Sequence, residues 1–255
     1  MNESWVDAYL ARIGAGRPVR PDAEALRELH LRHQRTVPFE NLSIHLGEDI
    51  TLEPEALVAK IVERRRGGFC YELGGAFATL LTALGFEVDM LSARVFAGDE
   101  LSLPQDHLAL RVGPWLVDVG FGGHTHYPLR LDERGDQADP GGVFRIAEAP
   151  EGDLDVFKNG RPEYRLETRS RKLGDFEAGC WWNRTSPKSH FTRSLVCSML
   201  TDAGRVTLSG RSLIRTENGE RDERELGDDA DVLGAYRTWF GIELDRVPEV
   251  SPPAG

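Results

Sequence analysis

The sequence predicts an α+β chain in which helices come first, a sheet or barrel follows, and the end is mixed. Two observations carry this. Up to Gly85 the apolar residues recur at three- and four-residue steps, the period of an amphipathic helix. Beyond it they fall into short alternating runs separated by turn residues, the pattern of strands. Segregated periods argue for α+β packing with separate subdomains rather than a βαβ succession. At 255 residues, 40% hydrophobic and 29% charged, the chain can form one large domain or two to three small ones.

Trp5, Tyr9 and Ile13 mark a first helix, Leu26, Leu29 and His33 a second, and Leu57, Ile61 and Val62 a third. "GRPVRPD" and "GEDITLEP" separate them, and Pro54 suits the first turn of the third. His30 and His33, one turn apart on a charged helix, read as solvated surface residues, and His45 as part of a loop. Leu73, Ala76, Phe77, Leu80, Leu81 and Leu84 follow the helical template without a miss, and Gly85 should end that helix. "FEVDMLSARVF", "HLALRV", "WLVDVGF", "VFRIAE" and "EYRLETR" read as strands. "WWNRTSPKSHFT" is broken by polar turn residues, and "SLVCSMLT" and "RVTLSGRSLIRT" are again strand-like. A last helix around "ADVLGAYRTWFGI" precedes a frayed "PEVSPPAG" tail.

A formal net charge of −11 disfavours non-specific binding to nucleic acid or an anionic membrane, because both would repel the chain. "MNESWVDAYLARIG" is acidic and amphipathic rather than a basic leader, and no apolar run reaches the ~18 residues of a spanning helix. A cytoplasmic protein is expected. The three cysteines then read as thiols rather than a disulfide framework.

Chemistry concentrates in "RRRGGFCYELGGAF", residues 64 to 77. Cys70 stands at a helix start, where unpaired N–H groups and the helix dipole favour a thiolate, and Arg64, Arg65 and Arg66 are expected to add to this. Gly67 and Gly68 permit a tight turn and leave room for a substrate. Cys180 and Cys197 read as small buried hydrophobes. His107 opens "HLALRV", which runs through Gly113 and Pro114 into "WLVDVGF", so the two strands should form a hairpin. If Val112 faces Trp115, His107 faces Gly120 and Asp118 faces Ala109, which makes His107 and Asp118 diagonal neighbours on one face. Asp118 lies among Trp115, Leu116, Val117 and Val119, where a carboxylate needs a partner unless the strand is an edge facing water. Cysteine, histidine and aspartate form a nucleophile, a base and an orienting group, compatible with acyl transfer or hydrolysis. Spacing does not choose between them. There is no Walker sequence and no G-x-G-x-x-G opening a helix after a strand, and His124-Thr125-His126 lacks accompanying metal ligands and reads as a loop.

These residues carry a resemblance. "TVPFENLSI" (36 to 44), "RRRGGFCYELGGAF", "DHLAL" (106 to 110), "WLVDVGFGG" (115 to 123), "TSPKSHF" (185 to 191) and "VTLSGRSL" (206 to 213) resemble the arylamine N-acetyltransferase family, in the family's order over most of the chain. The resemblance implies a helical bundle (1–85) carrying the nucleophile, a central β-barrel (86–185) carrying histidine and aspartate, and a C-terminal α/β lid (186–255), with a cysteine protease-like catalytic core. It implies a triad of Cys70, His107 and Asp118, acylated by acetyl-coenzyme A as cosubstrate and discharged to an arylamine or hydrazine, with no metal. Phe39, Phe121 and Phe191 match aromatic pocket-lining positions, with plain core packing as the other reading, and Glu40 and Arg66 match a supporting pair. Gly122, Gly123 and Thr125 are placed along the path of the coenzyme.

Two departures stand out. Gly74 replaces the asparagine of the family's usual "ELNG", removing a hydrogen-bonding side chain near the cysteine. Asp106 puts a charge beside His107, expected to alter its pKa or repel coenzyme A phosphates. Within the same fold, an amide synthase closing a macrolactam from an aminobenzoid-primed polyketide is the alternative activity. A cysteine hydrolase and a non-catalytic binding module complete the set.

Overall fold

A computed structural model describes residues 4–250. The helices α1 (Ser4–Arg12), α2 (Ala23–Thr36), α3 (Leu42–Leu46), α4 (Pro54–Val62) and α5 (Cys70–Ala83) occupy the first third, interrupted by a two-residue strand, β1 (Phe39–Glu40). Asp22 caps α2 by accepting the Ala25 N–H at 3.0 Å, and Gly85, at φ +90°, turns the chain out of α5. His45 is helical, within α3.

The middle of the chain is β2 (Val88–Ala97), β3 (Glu100–Leu101), β4 (His107–Val112), β5 (Trp115–Val117), β6 (Leu129–Arg130), β7 (Gln137–Asp139), β8 (Gly142–Glu148), β9 (Leu154–Lys158) and β10 (Arg161–Arg171). They form an antiparallel sheet in the order β6-β5-β4-β2-β10-β9-β8-β7, with β3 paired to β2. Its end strands are joined by a side chain. Gln137 accepts the Arg130 N–H at 2.7 Å and donates to the Arg130 carbonyl at 2.9 Å, occupying both groups as a neighbouring strand would. The sheet is thereby a nearly closed barrel around Leu91, Ala109, Leu116, Phe144, Ile146 and Tyr164.

Next come α6 (Glu177–Thr185) and α7 (His190–Arg193), so "WWNRTSPKSHFT" holds two short helices rather than turns alone. The strands β11 (Val196–Leu200), β12 (Gly204–Ser209), β13 (Ser212–Glu217) and β14 (Glu220–Glu225) precede α8 (Asp229–Ala235) and a π-helical turn at Tyr236–Phe240. The tail expected from Pro248 onward lies outside the described residues from Ser251.

The cores do not follow the linear order of the chain. β1 pairs antiparallel with β11, Phe39 opposite Ser198, and Leu42 packs in the C-terminal core with Cys197, Leu208 and Tyr236. Phe176 and Cys180 return to the helical core, which also takes Leu108, Leu110 and Val117 from the barrel hairpin. The helical period concealed one further arrangement. His30 and His33, expected at the surface, are fully buried, because α2 is covered on both sides. His33 stacks between Tyr9 and Phe77, and His30 bonds the His126 carbonyl at 2.9 Å. A single apolar stripe identifies only one covered face. Among the described residues no helix is long and apolar enough to cross a membrane.

Candidate active site

Cys70 is the first residue of α5, and of the glycines before it Gly67 is required by close backbone contact and Gly68 by the Glu72 side chain. Glu40 N–H donates to the Gly68 carbonyl at 2.9 Å, and a Cβ on Gly67 would come 1.8 Å from the Pro38 carbonyl oxygen. They let β1 pass against the loop that leads into Cys70. The arginine run does not serve the sulfur. Arg64 and Arg65 are exposed, and Arg66 turns inward to grip Glu40 with two nitrogens at 3.0 and 3.3 Å and Glu48 at 3.2 Å. Lys60 pairs with Glu72, whose other oxygen accepts the Phe69 N–H at 3.3 Å. This buried ionic cluster anchors the loop of Cys70 to β1. Glu40 and Arg66 sit at its centre.

Burial pushes the Cys70 thiol well up, the Leu108 N–H aimed at the sulfur pulls it back, and the Asp106 and Asp118 charges add to the rise. A helix N-terminus alone therefore does not hold a thiolate here.

The hairpin register is the one counted from the sequence, Val112 opposite Trp115 and Leu110 opposite Val117. The ladder stops at Val117, so Gly120 is not a strand partner of His107; the chain bends there toward Cys70. A Cβ at Gly120 would lie 2.8 Å from Cys70 Cα, so glycine is what lets the two approach. Asp118 Oδ2 accepts from His107 Nε2 at 2.8 Å, and its Oδ1 accepts the Gly120 N–H at 3.0 Å. Burial would raise the Asp118 carboxyl, but His107, His124 and the Gly120 N–H overcome this and hold it at about 2. It is an ionised, fully engaged acceptor. Because an ionised carboxylate can only accept, His107 is the donor through Nε2.

Phe121 packs edge-on to His107 at 5.0 Å between centroids, with Tyr164 at 5.3 Å. Phe191 meets Phe39 at 6.1 Å and Phe69 at 5.5 Å. Phe39, Phe121 and Phe191 are each half-buried, Phe39 and Phe191 against the helical core and Phe121 against the barrel core, where it also lines a cleft. Gly122, at φ +87°, lies against Phe39, and Gly123 is exposed. Thr125 is not brought to the surface; it is buried under the loop, its carbonyl accepting from Gln34 at 2.8 Å. His124 turns inward to Glu163 at 2.6 Å, and among the described residues no group of three or more metal-ligating side chains is assembled.

A family model for N-acetyltransferase matches residues 22–249. The arylamine N-acetyltransferase of Mycolicibacterium smegmatis is 40% identical over 253 residues, spanning 92% of this chain and 91% of its own. The chain belongs to the arylamine N-acetyltransferase family. The Escherichia coli arylamine N-acetyltransferase is 34% identical over 250 residues, covering 93% and 88% of the two chains. The solved M. smegmatis structure superposes with a TM-score of 0.86 at 38% identity, covering 95% of this chain and 93% of that one. The Mycobacterium marinum arylamine N-acetyltransferase in complex with CoA gives 0.84 at 34% identity, covering 93% and 92%. The protein is accordingly an acyltransferase of α+β fold.

Within this family the two departures acquire physical reasons. A Cβ at Gly74 would come 2.4 Å from Leu108 Cδ2, so the leucine after the histidine occupies the space an asparagine would need. Gly74→Asn is expected to destabilise the fold by about 1–3 kcal/mol through overpacking against buried Leu108, with Leu108→Val restoring part of it. Chemical denaturation of the single and double variants measures both. Asp106 is taken up by α6: its carboxylate accepts from Asn183 at 2.9 Å, while Tyr71 O–H donates to its carbonyl at 3.0 Å.

Three participants escaped sequence reading. His30 Nε2 accepts the Asp118 N–H at 3.3 Å, and burial lowers its pKa to about 4, keeping it neutral as that bond requires. Tyr164 shields the His107–Asp118 pair, and the Leu108 N–H faces the sulfur. Each depends on contacts across elements. The one signal available was a histidine at an interior position of a helix whose other apolar residues are few.

Proposed function

We propose that the protein transfers an acetyl group from acetyl-coenzyme A to an arylamine or arylhydrazine by a ping-pong route through an acyl-cysteine on Cys70. The observation that carries this reading is Cys70 against the Asp118–Gly120 bend, beside a His107–Asp118 pair bonded at 2.8 Å. Family membership supplies the reaction class.

His107 Nδ1 takes the Cys70 proton, and the resulting imidazolium is the cation that balances the thiolate in a pocket otherwise unfavourable to it. Asp118 stabilises that imidazolium and holds the ring in place. Cys70 Sγ attacks the thioester carbonyl, the tetrahedral intermediate collapses, and the departing coenzyme A sulfur leaves with the proton from His107. In the second half His107 receives a proton from the attacking amine nitrogen, and Cys70 departs as the thiolate when the amide forms. Phe39, Phe121 and Phe191 stack on an aromatic acceptor, and Gly122 and Gly123 leave the donor's path open. Glu40 and Arg66 hold the loop that presents the sulfur. Nothing in the cleft favours macrolactam closure.

Incubation with acetyl-coenzyme A and no amine should add one acetyl group per chain by intact mass, discharged when an arylamine is added. Turnover of arylamine with no acyl-enzyme at any time would defeat the ping-pong route.

A further inference from the structure

The aromatic cleft accounts for the acetyl group and the amine but not for the phosphates of the donor. A cationic patch lies next to that cleft. Phe39 is opposite Ser198, and Ser198 opposite Thr207, so the three form a row across β1, β11 and β12 on one face. Cys197, Met199, Val206 and Leu208 point the other way, into the C-terminal core. The polar row therefore shares the face on which Phe39 reaches Gly122 and Phe191. Arg205, two residues before Thr207 on β12, is on the same face, its Nη1 donating to Ser198 Oγ at 3.1 Å. Ser198 Oγ is also 2.8 Å from Thr207 Oγ1. Among the described residues Arg205 has no carboxylate partner, and burial pushes its pKa down to about 10.

A second cation arrives from the barrel. Lys158, on β9, donates to the Gly123 carbonyl and, with Phe121 and Arg161, lines a cleft of about 580 Å³. Arg205 and Lys158 are within electrostatic reach of each other, and both bear on His126 in the loop between them, as does Arg35. Carboxylates bear on this group as well, Glu163 and Asp139 on Lys158 and Asp139 on His126. Glu163 pairs with His124, Asp139 accepts the N–H groups of His126 and Tyr127, and Asp202 pairs with Arg35. Glu163 and Asp139 offset part of the charge of Lys158, but Arg205 is held by hydroxyls alone, and an anion that joined it would supply the counter-charge it lacks.

We propose that Arg205, with Ser198 and Thr207, and Lys158 form an anion subsite on the two sides of the Gly122–Gly123 loop that holds a phosphate group of coenzyme A. This rests on the acetyl-coenzyme A reading above and adds to it the place where the donor's charged end is gripped. Arg205 supplies a fork of N–H donors, the two hydroxyls extend its reach, and Lys158 contributes a point charge from the barrel. Phe39 and Phe121 then flank the passage from phosphate to sulfur.

Calorimetric titration of the full chain with coenzyme A tests the subsite without turnover. Arg205→Gln and Lys158→Gln are each expected to weaken coenzyme A by about tenfold or more, with Arg205→Lys recovering part of the loss. The rate of Cys70 acetylation by acetyl-coenzyme A, relative to that by S-acetylpantetheine, which lacks the nucleotide, should fall by a similar factor. Acetyl-3′-dephospho-coenzyme A separates the sources. If the Gln variants still discriminate against it, the diphosphate is held, and if the effect disappears, the 3′-phosphate is. Unchanged coenzyme A affinity in both Gln variants, or an equal loss with S-acetylpantetheine, overturns the subsite. Either result leaves the acyl-cysteine reading standing, since that falls only if the wild type fails to load.

Discussion

Replacing Cys70 with alanine is expected to abolish acetyl loading by acetyl-coenzyme A and to lower arylamine turnover by about 10⁶-fold, by analogy with other nucleophile-base-acid sets. The fold should survive the change. Cys70 is buried at 3% exposure, but its sulfur is held only by weak contacts to the backbone, 3.8 Å to the Asp106 carbonyl and the Leu108 N–H aimed at it, so the alanine leaves a small void and no orphaned charge. Cys180 and Cys197 do not substitute. Both are buried thiols whose surroundings push them up, Cys180 to about 12, and neither adjoins a histidine among the described residues. Intact mass after exposure to acetyl-coenzyme A checks this: an acetyl group persisting on the alanine variant would move the nucleophile elsewhere.

Asp118→Asn should cost about 10³–10⁴-fold in turnover while the protein remains folded. The size follows from which oxygen bonds what. Oδ1 accepts the Gly120 N–H, so an asparagine must keep its carbonyl there and direct its NH₂ toward His107 Nε2. Nε2 then becomes an acceptor, the ring proton moves to Nδ1, and the nitrogen that should accept the Cys70 proton already carries one. The variant is close in shape but selects the wrong tautomer. Single-turnover acetylation measured alongside the thermal midpoint separates this from unfolding. A normal loading rate at an unchanged midpoint would remove Asp118 from the catalytic set.

Much of the site was readable because its key pair is local. His107 and Asp118 lie on one hairpin, and a two-residue turn determines their register by counting. The helical period likewise placed Cys70 at the start of α5. The departures that most affect the site come from long-range contacts. Proximity in sequence suggests that the arginine run serves the sulfur, but Arg66 is turned to Glu40, the partner the resemblance implies, and to Glu48, both in another segment. A single apolar stripe places His30 and His33 in solvent, yet one helix can be covered on two faces without a second stripe where polar groups such as His30 Nδ1 and His33 Nε2 find partners. Gly74 read as a missing side chain. Its cause is a leucine from the barrel, visible only once the helix and the hairpin are packed together.

The pairing of β1 with β11 bears on how the molecule is made. The loop that presents Cys70 is braced by β1, and β1 is braced in turn by residues near position 198. As the chain emerges from the ribosome, α1 to α5 can collapse early on local contacts, but their strand waits for most of the remaining chain to be synthesised. Cys70 is thus encoded early and positioned late, so a partly synthesised chain carries the cysteine before the strand that braces its loop is itself held.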